Sequence, residues 1–281
     1  MLSSKILEQL SKKPRTGEAM AILLMNLGVI SLILMVDFSH YHGAIWIVSI
    51  LVLSSRFKAL NNIVHECAHY SFHHNPNFNR SIGGIVCGLL GQDYSVYKAE
   101  HMSHHGFLGD YDRDLDFQTI RSFSPHLPQQ FNKILKNILS IKFLSSYAPK
   151  RFGRTRQSLL GNLAIWAIMV YLLIHGLMVN WVIFLVAYFI GFPLMKYLTD
   201  LVDHGGIYAN PIKINQTRNF ILKSKLIKWL LFPRNDCYHL IHHLYPALPV
   251  KVFQEAHQAL LEDPSYRQLT HHARGIRLLP K

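Results

Sequence analysis

The chain has 281 residues, half of them apolar, with a formal charge of +13 and a mean hydropathy of +0.15. Apolar residues gathered into long runs argue against a soluble enzyme and for an integral membrane protein, and basic residues beside those runs point to anionic headgroups before nucleic acid. Three cysteines, Cys67, Cys87 and Cys237, with no C-x-x-C pair, exclude a disulfide framework and a rubredoxin-like or zinc-ribbon site.

Residues 1–18, with Lys5, Lys12, Lys13 and Arg15, are too long and polar for the leading part of a secretory signal, and no small-residue cleavage site follows the next apolar run. The segment reads as a basic amphipathic lead-in on the membrane surface, and the first span, residues 19–37, is expected to be retained. A short turn without Lys or Arg leads to a second span over residues 43–64. Its apolar part is short, so the helix must continue past Arg56 and Lys58 with their basic heads snorkelling, which delivers His65 and His69 just beyond the membrane. Ser81 to Gly91 is apolar but too short to cross, which predicts a buried or re-entrant helix. Phe131 to Ala148 mixes Lys133, Lys136 and Lys142 with Ile and Leu, the pattern of an interfacial helix. Residues 158–179 and 181–200 are two further spans joined by almost nothing. The expected fold is therefore an all-α integral membrane domain over residues 1–281, with four transmembrane helices in two hairpins and a helical cap made of residues 65–157 and 201–281. Neither outer turn, residues 37–43 or 175–181, holds Lys or Arg, so the positive-inside bias places both termini and the cap in the cytoplasm.

Three stretches of this cap carry the chemistry. They are His65-Glu-Cys-Ala-His69, His101-Met-Ser-His104-His105 and His239-Leu-Ile-His242-His243. Spacings of i, i+3 and i+4 place imidazoles on one helical face, where they can converge on an ion. Imidazole suits iron, zinc, copper and nickel, so ligand type does not name the metal. The count says more: a structural or hydrolytic zinc takes about three or four protein ligands, whereas eight histidines suffice for two metals with open positions. Taken one at a time, such histidines are usually surface or satisfied core groups; three spaced clusters on one side of a membrane are not.

In their order, and in their separation by paired spans, the three stretches resemble the histidine boxes of the membrane fatty acid desaturases, integral di-iron oxidoreductases. The resemblance runs from the first span to Pro249 and implies a four-helix stalk beneath a cytosolic cap that encloses two iron ions. It also implies a further ligand at the cytosolic end of the fourth span, where His204 stands in Asp200-Leu-Val-Asp203-His204. Asp200, one turn earlier, and Asn235 and Asp236, just before the third box, are candidates to orient an imidazole or a metal-bound water. Asp110, Asp112, Asp114 and Asp116 alternate without the glycine and glutamate of a calcium loop; they are acceptors for ligand N–H groups or a solvated acidic face. His73 and His74 precede a turn and are expected in supporting or surface positions, and His40, His42, His126, His175, His257, His271 and His272 belong to no spaced cluster.

The activity implied is dioxygen-dependent desaturation of an acyl chain, with lipid or carotenoid hydroxylation or ketolation as the alternative outcome at the same site. No fused cytochrome b5 or flavin motif is evident, so a separate ferredoxin or cytochrome b5-like donor is expected. Lys213, Arg218, Lys223, Lys225, Lys228 and Arg234 offer a basic surface to such an acidic partner or to lipid headgroups. A bacterial inner membrane is the expected location, and no nucleic-acid partner is expected. Two rivals stand beside this reading. His65-Glu66-x-x-His69 satisfies the zinc-protease pattern in which the glutamate activates water, and a membrane metal carrier or sensor would use the same imidazoles without chemistry.

Overall fold

A computed structural model of the chain describes residues 1–118, 131–147, 153–208 and 210–271. Fifteen α-helices follow one another, with no strand among the described residues. They are α1 (Ser4–Leu10), α2 (Thr16–Met35), α3 (Gly43–Ala68), α4 (Pro76–Leu89), α5 (Tyr94–Phe107), α6 (Leu115–Gln118), α7 (Phe131–Ile138), α8 (Ile141–Tyr147), α9 (Arg156–Ile174), α10 (Met178–Val186), α11 (Phe192–His204), α12 (Lys225–Leu231), α13 (His239–Leu244), α14 (Phe253–Leu260) and α15 (Pro264–Arg267). Four stretches are long and apolar enough to cross a membrane: α2, α3, α9 and the continuous run Met178–His204 that joins α10 to α11.

Local chemistry sets the boundaries. Glu18 accepts the Arg15 backbone N–H and closes the start of α2. Asn75 caps α4 with Pro76 at its first position, Asp93 caps α5, and Thr155 caps α9. Gly176, at φ +68, turns the chain between α9 and α10. The fourth run is not a plain α-helix. Residues Ala187–Gly191 form a π turn just ahead of Pro193, whose ring excludes the regular hydrogen bond, and Ser54 of α3 donates to the Ala187 carbonyl at 3.3 Å.

The outer half of α3 exposes Ile45, Ile47, Val48 and Leu51, while from Leu53 onward nearly every side chain is buried. This buried half carries Arg56, Lys58, Asn61, Asn62 and Glu66 inward, so it is the element on which the polar interior is assembled. Helix α4 lies buried between α3 and α9 and does not cross. Its Gly84 and Gly88 meet Gln157 and Ser158 of α9, and Gly161 of α9 meets the α4 backbone, so a Cβ at Gly88 or Gly161 has no room.

Two segments expected to lie on the membrane surface each pack one face on the rest of the protein. Leu2, Ile6, Leu7 and Leu10 of the first segment join a core with Cys237, Leu240, Ile241 and Phe253, and the Leu2 N–H donates to the Tyr245 hydroxyl at 2.8 Å. Residues 131–147 are two helices rather than one. The break falls at Ser140, which accepts the Phe143 N–H, and Ile134, Ile138, Phe143 and Tyr147 pack on Tyr197 and Tyr208. Ala148, His126 and His272 lie outside the described residues.

Candidate metal centre

Four elements aim imidazoles at one region: the end of α3 (His65, His69), α5 (His101, His104, His105), the last residue of α11 (His204) and α13 (His239, His242, His243). The nine separate into two groups. His65, His69, His101, His105 and His242 each offer a ring nitrogen within 4.8 Å of the others, and His104, His204, His239 and His243 do the same. Helical geometry explains the division. In each H-x-x-H-H stretch the outer pair, i and i+4, shares one stripe, while the middle histidine is turned aside toward the other group. Thus His101 and His105 stay together and send His104 across; His239 and His243 stay together and send His242 back. The groups abut through His105 and His243, whose rings stack at 4.5 Å.

The imidazoles point Nε2 inward. His69 and His101 approach at 2.8 Å through these atoms, His105 and His242 at 2.8 Å, His204 and His239 at 2.9 Å, and His239 and His243 at 3.0 Å. Outward, several Nδ1 atoms meet acceptors. Asp114 Oδ2 takes His104 at 2.7 Å and also accepts the Tyr208 hydroxyl at 2.7 Å. The Gln216 carbonyl takes His204 at 2.9 Å, and Asp116 and Asp203 each lie 3.4 Å from the Nδ1 of His101 and His239. An acceptor on Nδ1 fixes the proton there and leaves the Nε2 lone pair facing in. Burial, reinforced by neighbouring imidazoles, pushes the pKa of His101, His239, His242 and His243 well down. Burial with Lys98 and His104 nearby lowers His69 to about 3, and burial with His69 and His104 lowers His105 to about 2. A set of neutral imidazoles with converging lone pairs and oriented rings is the donor set of a metal site, and each group could hold an ion.

The candidate supporting residues stand in different places. Asn235 touches no imidazole; its amide donates to the Val250 carbonyl at 2.9 Å, and its φ of +58 makes it part of the turn before α13. Asp236 forms a buried ion pair with Lys58. Asp200 lines a cavity of about 60 Å³ that reaches His65, His101, His104, His204 and His239. The residues that hold imidazoles are Asp114, Asp116, Asp203 and the Gln216 carbonyl. Asp203 was missed although its place beside His204 and one turn after Asp200 was a usable signal; the Gln216 carbonyl leaves no mark in sequence. Asp110 accepts the backbone N–H groups of Asp112 and Arg113, so the alternating aspartates divide between a turn and the imidazoles.

Other groups are spoken for. His73 is buried against Thr16 and the Asn75 N–H, where it builds the turn before α4, and His74 is exposed. His257 and His271 sit in the tail core with Tyr266 and Asn219. Two of the six basic residues assigned to a partner surface point inward: Arg218 is buried on the Gly205 carbonyl, and Arg234 grips Glu66. The Arg234–Glu66 contact has two hydrogen bonds, one of 2.7 Å between Nη2 and Oε2, and Glu66 is 2% exposed. The glutamate that a hydrolase would need beside its metal is thereby taken up, and His65 and His69 belong to a five-histidine group.

Known proteins resemble this chain in sequence. The chain is 25% identical to dihydrorhizobitoxine desaturase of Bradyrhizobium elkanii, over 79% of this chain and 69% of that protein. It is 22% identical to a chloroplastic omega-3 fatty acid desaturase of Ricinus communis, over 72% of this chain and 50% of that protein, so it spans about half the length of the second relative. Residues 43–275, which contain every imidazole of both groups, match the family model described as Fatty acid desaturase, and the chain belongs to that family.

Proposed function

We propose that the chain is a multi-pass membrane di-iron desaturase that uses dioxygen to introduce a double bond into an acyl chain. Family membership carries the oxidoreductase class. The observation that carries the rest is the pair of imidazole groups with Nε2 turned in and Nδ1 held from behind. His65, His69, His101, His105 and His242 would hold one iron, and His104, His204, His239 and His243 the other. When bound, the irons supply the redox chemistry that activates dioxygen for attack on an unactivated C–H bond. The overall change is R–CH2–CH2–R′ with dioxygen, two electrons and two protons giving R–CH=CH–R′ and two waters. The electrons come from a separate ferredoxin or cytochrome b5-like donor.

The protein's own part is positional. Asp114 and the Gln216 carbonyl keep the His104 and His204 protons on Nδ1, and burial keeps His105 neutral. The Glu66–Arg234 pair closes α3 against the turn before α13, so boxes one and three keep their register. The four apolar runs form two hairpins, and the turns at residues 37–43 and 175–181, free of Lys and Arg, face away from the cytoplasm. Both termini and the imidazoles then lie on the cytoplasmic side, in a bacterial inner membrane.

Expression in a host that lacks the activity, followed by lipid mass spectrometry, tests the proposal. Wild type should add a product two hydrogens lighter than its precursor, and His242→Ala should not. An oxygenated product would assign hydroxylation, and a product made equally by His242→Ala would refute the di-iron assignment.

A further inference from the structure

No side chain of α12 is fully buried, although the helix is pinned to α2 and α3. One guanidinium holds it there. Arg56, itself buried, donates to the Asn26 side chain of α2 at 3.1 Å and to the Trp229 carbonyl of α12 at 2.8 Å, and its Cζ lies 3.9 Å from the centre of the Trp229 ring. At about 1.5 Å per residue, Arg56 lies roughly 20 Å along α3 from Gly43, and Asn26 roughly 10 Å along α2 from Ala19. In a hydrocarbon layer about 30 Å thick, that level is roughly 10 Å inside the edge nearer the imidazoles. The side chains of α12 suit this depth. A helical step of about 100° gathers Trp229, Leu226, Leu230, Ile227 and Leu231 into one arc and leaves Lys225 and Lys228 on the other. Leu226 is 72% exposed, and Ile227, Trp229 and Leu231 are exposed with it, at the level of the exposed Leu24 and Met25 of α2. Lys228 turns back to the cap, its Nζ 4.9 Å over the Tyr238 ring. Lys223 and Lys225 are exposed and join no ion pair among the described residues, and residues 205–235 contain no Asp or Glu.

We propose that α12 is inserted into the leaflet on the imidazole side without crossing it, with its apolar arc among acyl chains and Lys223 and Lys225 on the phosphates of anionic lipids. An apolar arc sunk about 5–10 Å below the headgroups, with lysines reaching back to them, is the stable arrangement of an interfacial helix. In water the same arc would stand as a bare apolar patch beside the spans. An acidic protein would find the two lysines but leave that arc unmatched. Arg56 adds to the attraction, because its partners Asn26, Ser55 and the Trp229 carbonyl are neutral and leave its charge uncompensated. The seat bears on the metal centre through the chain itself: α12 runs into the turn whose Arg234 grips Glu66 just before α13, so lipid steadies the approach to the third box. The assignment holds whichever oxidation the centre performs.

The test uses the full, iron-loaded chain in nanodiscs made of phosphatidylcholine and phosphatidylglycerol in equal parts. The three native cysteines are buried, so a thiol-reactive fluorophore reports on Leu226→Cys, on Ile227→Cys as a second site, and on Gln258→Cys of the cap as an exposed control. Lipids brominated on their acyl chains should remove most of the emission at positions 226 and 227 and little at 258, and iodide in the buffer should do the reverse. Either labelled site decides the matter if the other variant fails to load iron. Native mass spectrometry of protein released from the discs counts the lipid it retains. Wild type should hold phosphatidylglycerol over phosphatidylcholine, and Lys223→Gln/Lys225→Gln should lower that ratio at least about fivefold, the worth of roughly one basic residue at an anionic surface. Labels at 226 and 227 that iodide quenches and bromine does not would place α12 in water, open to an acidic protein, and overturn the assignment. A lipid ratio unchanged in the double variant would overturn it as well, by taking the phosphates away from the two lysines.

Discussion

Asp114 serves two side chains at once: its Oδ2 takes both His104 Nδ1 and the Tyr208 hydroxyl, and it is fully buried. Replacing it with Asn turns an acceptor-only group into one that can present a donor to His104 and removes the charge that favours the Nδ1 tautomer. Asp114→Asn should lower iron affinity of the four-histidine group by about 10–100-fold, the range seen for such supporting residues, with the five-histidine group still loaded. Iron titration of the purified variant reads this directly, and an unchanged affinity would remove Asp114 from the account. A second prediction follows from the depressed basicity of the imidazoles. At pH 6 an ordinary histidine, with a pKa of about 6.5, is mostly protonated and must release roughly three quarters of a proton on binding a metal. His69 and His105, at about 3 and about 2, are already neutral there. Buffer-dependent calorimetry at pH 6 should therefore find fewer protons released on iron loading than nine ordinary histidines would give. The pH trend has the same direction as that of a carboxylate with a depressed pKa: below about 6.5 the unfolded chain gains protons that the folded one refuses, so the metal-free fold weakens as pH falls toward about 3. At this scale helical spacing marks eight of the nine grouped imidazoles, and the family resemblance marks His204. The identity of their supports was only half legible. Asp114 was visible as one of four alternating aspartates, but which of those turn inward depends on the loop after α5, and Asn235 looked like a support only because of its place in the chain.

At the scale of helices, the three imidazoles of each H-x-x-H-H stretch divide between the two groups and do not all converge on one of them. The pair at i and i+4 serves one group and the middle residue serves the other, so α5 and α13 each stitch the two groups together. Spacing announced the stripes; the exchange between them needs α5 and α13 face to face, which no local pattern encodes. The same limit applies to Glu66. Its position in H-E-x-x-H suggested a water-activating base, whereas its partner, Arg234, is 168 residues away. Breaking a buried pair from one side leaves an uncompensated charge, so Glu66→Leu or Arg234→Leu alone should destabilise the protein by about 3–5 kcal/mol, and the double substitution should recover much of that. Thermal melts in detergent measure the cycle; additive losses would deny the coupling. The α4–α9 contact gives a prediction of another kind. Gly161 faces the α4 backbone with no space for a Cβ, so Gly161→Leu should cost about 1–3 kcal/mol or more through overpacking. A variant as stable as wild type would mean that the two helices part easily.

Across the whole molecule, four apolar runs were readable from hydropathy alone, and the structure places long helices over each of them. What composition could not convey was how much of the remaining chain packs on itself. The first helix was read as a surface lead-in from its charge, and its Ile6, Leu7 and Leu10 also pack in the core formed by α13 and α14, so α1 closes on the third box. Residues 131–147 were read as interfacial for the same reason, and they also carry aromatic packing. The closure matters for function because α13 contributes three imidazoles from a segment with no apolar run of its own. It is seated by α1, α14 and the Asn219 side chain, which accepts the Leu240 N–H at 3.0 Å. Truncating residues 1–10 should therefore loosen the third box without touching it, seen as a lower iron content and a lower melting temperature.

Two groups of histidines that hold two irons acting together leave a mark in the metal content of the protein. Iron quantification on protein expressed with iron-57, paired with turnover of the same samples under dioxygen, tests it most directly. The account predicts two irons per chain in the wild type, about one in the His239→Ala/His243→Ala double variant as the four-histidine group loses half its donors, and turnover only in the first. Full turnover by protein that holds one iron or zinc alone would contradict it.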